Sequence, residues 1–180
     1  KKSIARKLAA LRSFFRFLCR EGIVKQNPVQ KLTTPKTSRT LPRFLFQEHM
    51  DKLLRAADPG SLNGVRDKII VEILYGSGLR VSELVNIDIK DLDLESGLVK
   101  VSGKGKKERI VPLTDFASQV IRDYLERRND SEEALLLNYQ NTRLTARSVR
   151  RILDKLEKKA GIHQHIHPHM LRHTFATHLL

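Results

Sequence analysis

The sequence predicts a mainly α-helical protein with a small β-hairpin or sheet, which is an α+β fold. Apolar residues recur every three or four positions through most of the 180-residue chain, as they do in amphipathic helices. In one region the period changes, because Val99 and Val101 alternate with Lys100 and Ser102. Hydrophobic residues make up 40% of the chain, an ordinary share for a globular protein, so a folded core is expected.

The helices are predicted in order from their apolar spacing and from the residues at their ends. Gly22 is expected to end the first helix, whose apolar stripe runs from Ile4 to Leu18. Thr145 is expected to cap the helix that begins at residue 146. The predicted helices lie near residues 3–20, 47–57, 65–74, 82–86, 115–128, 146–160 and 169–180. Residues 99–111 are expected to form the β-hairpin, with a glycine-rich turn that carries lysines at its tip.

Residues 27–43 have the composition of a linker. Helical periodicity stops there, and Pro28, Pro35 and Pro42 lie among threonines and serines. We therefore expect a partly extended, basic connection between an N-terminal part, residues 1–26, and a domain at residues 44–180.

Positive charge is concentrated before residue 44. The chain has a formal charge of +14 and a pI near 10.2, and residues 1–43 contain twelve Lys or Arg but one acidic residue, Glu21. Such an excess attracts polyanions, above all nucleic acid, although a solvated helix face is the alternative. The residues expected to contact DNA lie in the first helix, the linker and the hairpin, and they are Arg6, Arg12, Arg16, Lys36, Arg39, Arg43, Lys106 and Lys107.

A membrane partner, secretion and an oxidising compartment are less consistent with this sequence. No segment approaches the roughly 18 apolar residues that span a bilayer, so no membrane partner is expected. The N-terminus lacks the apolar core of a signal peptide. The single Cys19 excludes an internal disulfide and suits a reducing compartment, which favours the cytoplasm.

Four residues have the chemistry that phosphoryl transfer between nucleic-acid strands requires. Charge builds up on the non-bridging oxygens during that reaction, and the planar fork of arginine can donate two hydrogen bonds to one phosphate. Arg80 and Arg172 supply such forks, Lys104 supplies an acid for the leaving oxygen, and His169 can move a proton. Each lies at a predicted element boundary or at the hairpin tip, where a substrate can reach it.

These residues lie in three motifs that resemble the tyrosine recombinase or phage integrase family, most closely its Xer-type members. The motifs are YGSGLRVSEL at residues 75–84, GKGKKERIVPL at residues 103–113 and HMLRHTFATH at residues 169–178. Three motifs in order with family-like spacing are highly specific, and the resemblance runs over nearly the whole chain. It implies a catalytic domain at 44–180 and identifies 1–26 as the last helix of a core-binding, SAM-like DNA-binding domain.

The resemblance also implies a role for each residue. Arg80 and Arg172 would clamp the scissile phosphate, Lys104 would protonate the departing 5′ oxygen, and His169 would assist proton transfer at the nucleophile. Glu83 is expected to brace Arg80, and His173 to pack nearby as a supporting group. The implied activity is site-specific recombination through a 3′-phosphotyrosyl link, with double-stranded DNA and other recombinase protomers as partners. It needs neither ATP nor a metal, so no cofactor is expected.

The chain departs from the family pattern after Arg172. The family places a second histidine or tryptophan, and then the nucleophilic tyrosine, downstream of that arginine, but this sequence ends eight residues later. Tyr75, Tyr124 and Tyr139 are interpreted as structural, so no nucleophile is assigned. We expect a fragment that binds DNA, and leave its enzymatic activity open. The alternative is a non-catalytic DNA-binding or regulatory relative that lost the tyrosine.

The histidines near the C-terminal end raise the question of a metal site. His169 and His173 are spaced i, i+4 on a predicted helix, a spacing found in zinc sites. No cysteine accompanies them, and no glutamate of an HExxH motif lies between them. The sequence therefore predicts no metal site, and a metal-dependent hydrolase is a distant third hypothesis.

Overall fold

The structure of the chain is a computed structural model that describes residues 1–35, 44–103, 105 and 107–179. The chain divides into two units, Lys1–Leu41 and Pro42–Leu180. The helices are α1 Lys2–Arg20, α2 Gln47–Ala56, α3 Leu62–Gly76, α4 Val81–Leu84, α5 Asp115–Arg127, α6 Ala146–Lys159 and α7 Pro168–His178. The strands are β1 Leu92–Asp93, β2 Leu98–Ser102 and β3 Glu108–Pro112. Within the described residues, no helix combines the length and apolar character that crossing a membrane requires.

The first unit consists of α1 and the segment that folds back on it. Gly22 has a φ of +71° and ends α1, with the Ile23 N–H donating to Leu18 O at 3.0 Å, as the sequence predicts. The Arg12 guanidinium donates to Thr34 Oγ1 at 2.8 Å and also to Leu32 O. These bonds return the chain to α1, and residues 28–31 form turns. Residues 36–43 of the predicted linker lie outside the described residues, so the partly extended linker at 27–43 stays a prediction.

Helix α3 lies at the centre of the second unit. It is buried on most of its circumference, and Ile69, Ile70, Ile73 and Leu74 are completely buried. Helices α2, α5 and α7 pack against it. Because α3 is surrounded, the loop that leaves its C-terminal end starts from a rigid position.

The sheet is antiparallel in the order β1-β2-β3. Val99 and Val101 on β2 are buried, whereas Lys100 and Ser102 are exposed, so the alternation predicts this hairpin correctly. The two-residue strand β1 adds a third strand that the sequence analysis missed, because two residues are too few to show a period.

The predicted fold class and helices are confirmed, with small changes at the ends. Helix α3 is longer than predicted at both ends, since Ser61 caps it by accepting a hydrogen bond from the Gly64 N–H at 3.1 Å. The Thr145 hydroxyl accepts from the Ser148 N–H at 3.1 Å, which confirms the predicted cap of α6. The assignment of residues 1–26 and 44–180 to a core-binding and a catalytic domain stays a prediction.

Candidate phosphate-binding site

The loop between α3 and α4 positions the first arginine. The Ser77 hydroxyl donates to Pro112 O at 2.8 Å, which joins the loop to the end of β3. Gly78 has a φ of +58°, and a Cβ at this position would lie 2.3 Å from Phe175 Cδ1 on α7. Only glycine fits both the backbone conformation and the close contact with the ring. As a result, Arg80 lies at the start of α4, close to α7.

A buried carboxylate orients Arg80. Glu83 Oε1 accepts from Arg80 Nη1 at 2.9 Å, and Glu83 Oε2 accepts from the Arg80 backbone N–H at 2.8 Å. The Glu83 side chain is only 3% exposed, whereas that of Arg80 is 53% exposed. The predicted contact between these residues is therefore present, and it leaves part of the Arg80 fork open to solvent.

Arg109 on β3 is a second partner of the same carboxylate, and the sequence analysis assigned it no role. Its Nη1 and Nη2 atoms donate to Glu83 Oε1 and Oε2 at 2.8 and 2.9 Å. Burial raises the pKa of the Glu83 carboxyl, but the hydrogen bonds from Arg109 and Arg80 outweigh it and lower the pKa to about 2. Glu83 is therefore ionised at neutral pH. In the sequence, Arg109 is one of several charged residues of the second motif, and nothing there distinguishes it from the others.

Arg172 approaches the site from α7. Its Nη1 donates to Gly78 O, the carbonyl of the glycine that contacts Phe175. Burial, followed by the positive charge of Arg80, lowers the pKa of Arg172, although an arginine remains protonated at neutral pH. Arg80, Arg109 and Arg172 thus meet with Glu83 as a group with an excess of positive charge. This is the arrangement that an anion such as a phosphate would bind.

The histidines lie at the start of α7 and along it. His167 is the N-cap residue, and its Nδ1 accepts from the Met170 N–H at 3.2 Å. Burial, and then the neighbours His165 and His169, lower the pKa of His167. His169 is exposed and lies three residues before Arg172, on the same side of the helix. His173 is half-buried one turn further on. Of His167, His169 and His173, His169 is therefore the exposed one, which a substrate can reach.

The hairpin tip lies partly outside the described residues. Lys104 and Lys106 of the tip are not among the described residues, and neither are Lys36, Arg39 and Arg43 of the predicted linker. The roles of these five residues stay predictions. The preceding residue, Gly103, is described, and a Cβ on it would lie 3.4 Å from Arg109 Nη1 and 3.8 Å from Glu83 Oε1. The hairpin therefore leaves the sheet beside the Glu83 carboxylate.

The described residues that were predicted to contact DNA differ in their surroundings. Arg6 and Arg16 on α1 and Lys107 on the hairpin are exposed. Arg12 is half-buried and its guanidinium holds residues 27–35, so its first role is structural. Next to it, Arg16, Lys25 and Lys31 line a cavity of about 840 Å³ in the first unit.

The tyrosines occupy three kinds of position. The Tyr75 hydroxyl is 3.0 Å from His178 Nδ1 and donates to Gln47 Oε1 at 3.0 Å. Tyr124 is 2% exposed in the core. Tyr139 is 82% exposed, in a turn closed by the bridge between Leu137 and Arg143.

Curated tyrosine recombinases are similar to this chain over its whole length. The tyrosine recombinase XerC of Oceanobacillus iheyensis is 46% identical over 188 residues, and the match covers 100% of this chain and 62% of that protein. XerC of Bacillus subtilis is 41% identical with the same coverage. The chain therefore spans about 62% of the length of these relatives.

Solved structures show the same fold. The XerA recombinase matches with a TM-score of 0.69 and 26% identity over 94% of this chain and 66% of that chain. The XerH recombinase bound to a palindromic difH substrate matches with a TM-score of 0.73 and 25% identity, over 95% and 54%. The Tn1549 transposon integrase, at 21% identity and a TM-score of 0.82 over 99% and 67%, supports the fold alone. The family profile described as the phage integrase family covers residues 43–180, and the chain belongs to that family.

Proposed function

We propose that this chain carries the phosphate-binding part of a Xer-type, site-specific DNA recombinase that cleaves and rejoins strands through a 3′-phosphotyrosyl intermediate. The observation that carries the proposal is the convergence of Arg80 and Arg172 at one loop. The high identity to XerC proteins supports it, because those relatives are named tyrosine recombinases. The DNA-bound structure of XerH supports duplex DNA as the partner.

The geometry suits stabilisation of a phosphate during the reaction. Arg80 and Arg172 would each donate to a non-bridging oxygen of the scissile phosphate, where negative charge grows in the transition state. Their bonds to Glu83 and Gly78 O hold the forks before the substrate arrives, which reduces the reorganisation required. The role of Glu83 is therefore to position Arg80 rather than to transfer a proton.

Proton transfer is assigned to His169 and Lys104. His169 is exposed on the first turn of α7, so it can accept or donate a proton at the attacking oxygen. Lys104 would protonate the departing 5′ oxygen, and this step rests on the motif alone. We assign the nucleophile to none of the three tyrosines. Tyr75 is hydrogen-bonded to two side chains, Tyr124 is buried, and Tyr139 lies in a turn outside the three motifs.

The first test is DNA binding by the chain itself. Fluorescence anisotropy with duplexes that carry the recombination sites of the XerC relatives should show several-fold weaker binding for Arg80→Ala and Arg172→Ala. Arg55→Ala is the matched control, because it removes the same charge from an exposed position on α2. Equal losses in all three variants would mean that the two arginines act only through overall charge.

The second test separates strand transfer from DNA binding without catalysis. In a chimera, the C-terminal segment of the Oceanobacillus iheyensis XerC would follow Leu180, and a nicked suicide substrate would trap any covalent adduct. We expect an adduct that disappears in Arg80→Ala and Arg172→Ala. An adduct that persists in both variants would contradict the proposed site. A folded chimera that binds DNA but forms no adduct would support the non-catalytic alternative.

A further inference from the structure

Three side chains with metal-binding chemistry meet outside the phosphate-binding site. Asp154 and Glu157 lie one turn apart on α6, and His165 lies in the segment that leads to α7. His165 Nδ1 is 3.6 Å from Asp154 Oδ1 and 3.5 Å from Glu157 Oε2. One ligand atom from each of the three residues lies within 4.8 Å of the other two. Two elements of the fold therefore bring one nitrogen and two oxygen donors together.

The spacing of these donor atoms fits a bound metal better than direct hydrogen bonds. A charge-assisted hydrogen bond between an imidazole and a carboxylate has an N···O distance of about 2.7–2.9 Å. Around a tetrahedral Zn²⁺ with bonds of about 2.1 Å, neighbouring ligand atoms are about 3.4 Å apart. The distances of 3.5 and 3.6 Å from His165 Nδ1 are close to the second value.

The surroundings of the cluster resemble those of a metal site with one open position. Glu157 Oε2 accepts a hydrogen bond from the Ile166 N–H at 2.6 Å, which orients the carboxylate and leaves it a lone pair for a metal. The Glu157 side chain is 15% exposed and that of His165 is 71% exposed. The site is thus anchored on its inner side and open to water on its outer side.

We propose that Asp154, Glu157 and His165 bind a divalent transition-metal ion, with Zn²⁺ as the best match and water as the fourth ligand. The mixed nitrogen and oxygen donors favour Zn²⁺, Co²⁺ or Ni²⁺ over Ca²⁺ or Mg²⁺, which prefer oxygen alone. The ion would tie the end of α6 to the segment before α7, the helix that carries His169 and Arg172. This inference goes beyond the proposed strand transfer, which uses no metal.

The sequence does not reveal this cluster, because its three residues do not share the spacing of a helix pair such as His169 and His173. His165 is eight and eleven residues from Glu157 and Asp154, so only the turn after α6 brings it back to that helix. The proposal replaces the prediction that the chain has no metal site.

The test is zinc binding by the metal-free chain prepared without a histidine tag. Isothermal titration with ZnCl₂ should show one tight site, and Co²⁺ should give the intense visible absorption of four-coordinate cobalt. We expect His165→Ala to weaken the zinc affinity at least tenfold. His163→Ala is the matched control, because it removes an exposed histidine of the same segment and should change the affinity less than twofold.

One further variant and one further measurement keep the test decisive. Glu157→Gln removes the charged ligand but keeps an oxygen that can accept from the Ile166 N–H, so the fold should survive while zinc binding weakens. Zinc should raise the melting temperature of the wild-type chain but not that of His165→Ala. Unchanged zinc affinity in His165→Ala or in folded Glu157→Gln, or no zinc binding by the wild-type chain, would overturn the proposal.

Discussion

Arginines in the two units of this chain have the same charge but different surroundings. In the second unit, the Arg80 and Arg109 guanidiniums share the buried Glu83 carboxylate. On α1, Arg6 and Arg16 are exposed side chains of a helix surface. The buried Glu83 carboxylate holds Arg80 and Arg109 in one geometry. Exposed Arg6 and Arg16 could instead adapt to a nucleic-acid backbone of any sequence.

This difference bears on what each region can do. A fixed fork can match the oxygens of one phosphate and favour its transition state. An exposed arginine supplies charge, which raises affinity for any nucleic acid and depends strongly on salt. We therefore expect changes in the second unit to alter stability and site geometry together, and changes at the exposed Arg6 and Arg16 of α1 to alter affinity alone.

The largest effect is expected from Gly78→Ala. The new Cβ would lie 2.3 Å from Phe175 Cδ1, on a backbone with a φ of +58°, so either α7 or the loop must shift. We expect a loss of about 3 kcal/mol in the free energy of unfolding, measured with urea. Gly161→Ala is the control, since its φ is +65° but nothing lies within 4 Å of the new Cβ. That variant should lose about 1 kcal/mol, and similar losses in both would show that the contact with Phe175 is unimportant.

Glu83→Gln should have the next largest effect. Removal of the charge from this buried carboxylate, whose two arginine partners are partly exposed, is expected to cost about 2 kcal/mol in the free energy of unfolding at pH 7. Exposed Glu48, paired with Lys52, offers the control Glu48→Gln, which should leave the free energy of unfolding nearly unchanged.

The pH dependence of stability provides a check on the same carboxylate. The pKa of Glu83 is about 2 in the folded protein and about 4.3 in an unfolded chain. Because folding lowers the pKa, the stabilisation is complete above about pH 4.3 and is lost as the pH falls towards 2. Wild-type protein should therefore lose more stability than Glu83→Gln across this window. Parallel curves would show that the two arginines do not stabilise the ionised form.

Arg109 allows positioning to be separated from direct contact with DNA. We expect Arg109→Gln to weaken binding to the recombination-site duplexes, because Glu83 would then hold Arg80 less firmly. The slope of log affinity against log salt should stay the same if Arg109 touches no phosphate, whereas a direct contact would reduce it by about 0.9. Arg109→Lys should recover only part of the affinity, since lysine cannot make the bidentate pair.

The sequence predicts much of the fold because most elements are long enough to show their period. The apolar spacing of α1, α3 and α6 and the alternation at Val99 and Val101 each indicate the observed element. The contact of residues 27–35 with α1 could not be predicted, because their prolines and threonines do not reveal that Arg12 draws them back to that helix.

The parts of the candidate site that lie within one motif could be predicted from the sequence. The parts that depend on contacts between distant residues could not. Arg80 and Glu83 are three residues apart, so their contact follows from a helical turn. Arg109 is 26 residues from Glu83, and only the pairing of β2 with β3 brings it to the carboxylate. For the same reason, the contact between Gly78 and Phe175 could not be read from a single sequence.

The smallest effect is expected from single arginines of α1, and it completes the comparison of the two regions. Arg16→Ala should lower the salt slope of DNA binding by about 0.9 if the side chain neutralises one phosphate, with little change in melting temperature. Arg12→Ala should instead expose residues 27–35 to faster amide hydrogen exchange, because its guanidinium bonds to Thr34 and Leu32 are lost. If Arg16→Ala lowered the melting temperature and left the salt slope unchanged, Arg16 would resemble the arginines of the second unit and would have a structural role rather than a DNA-binding one.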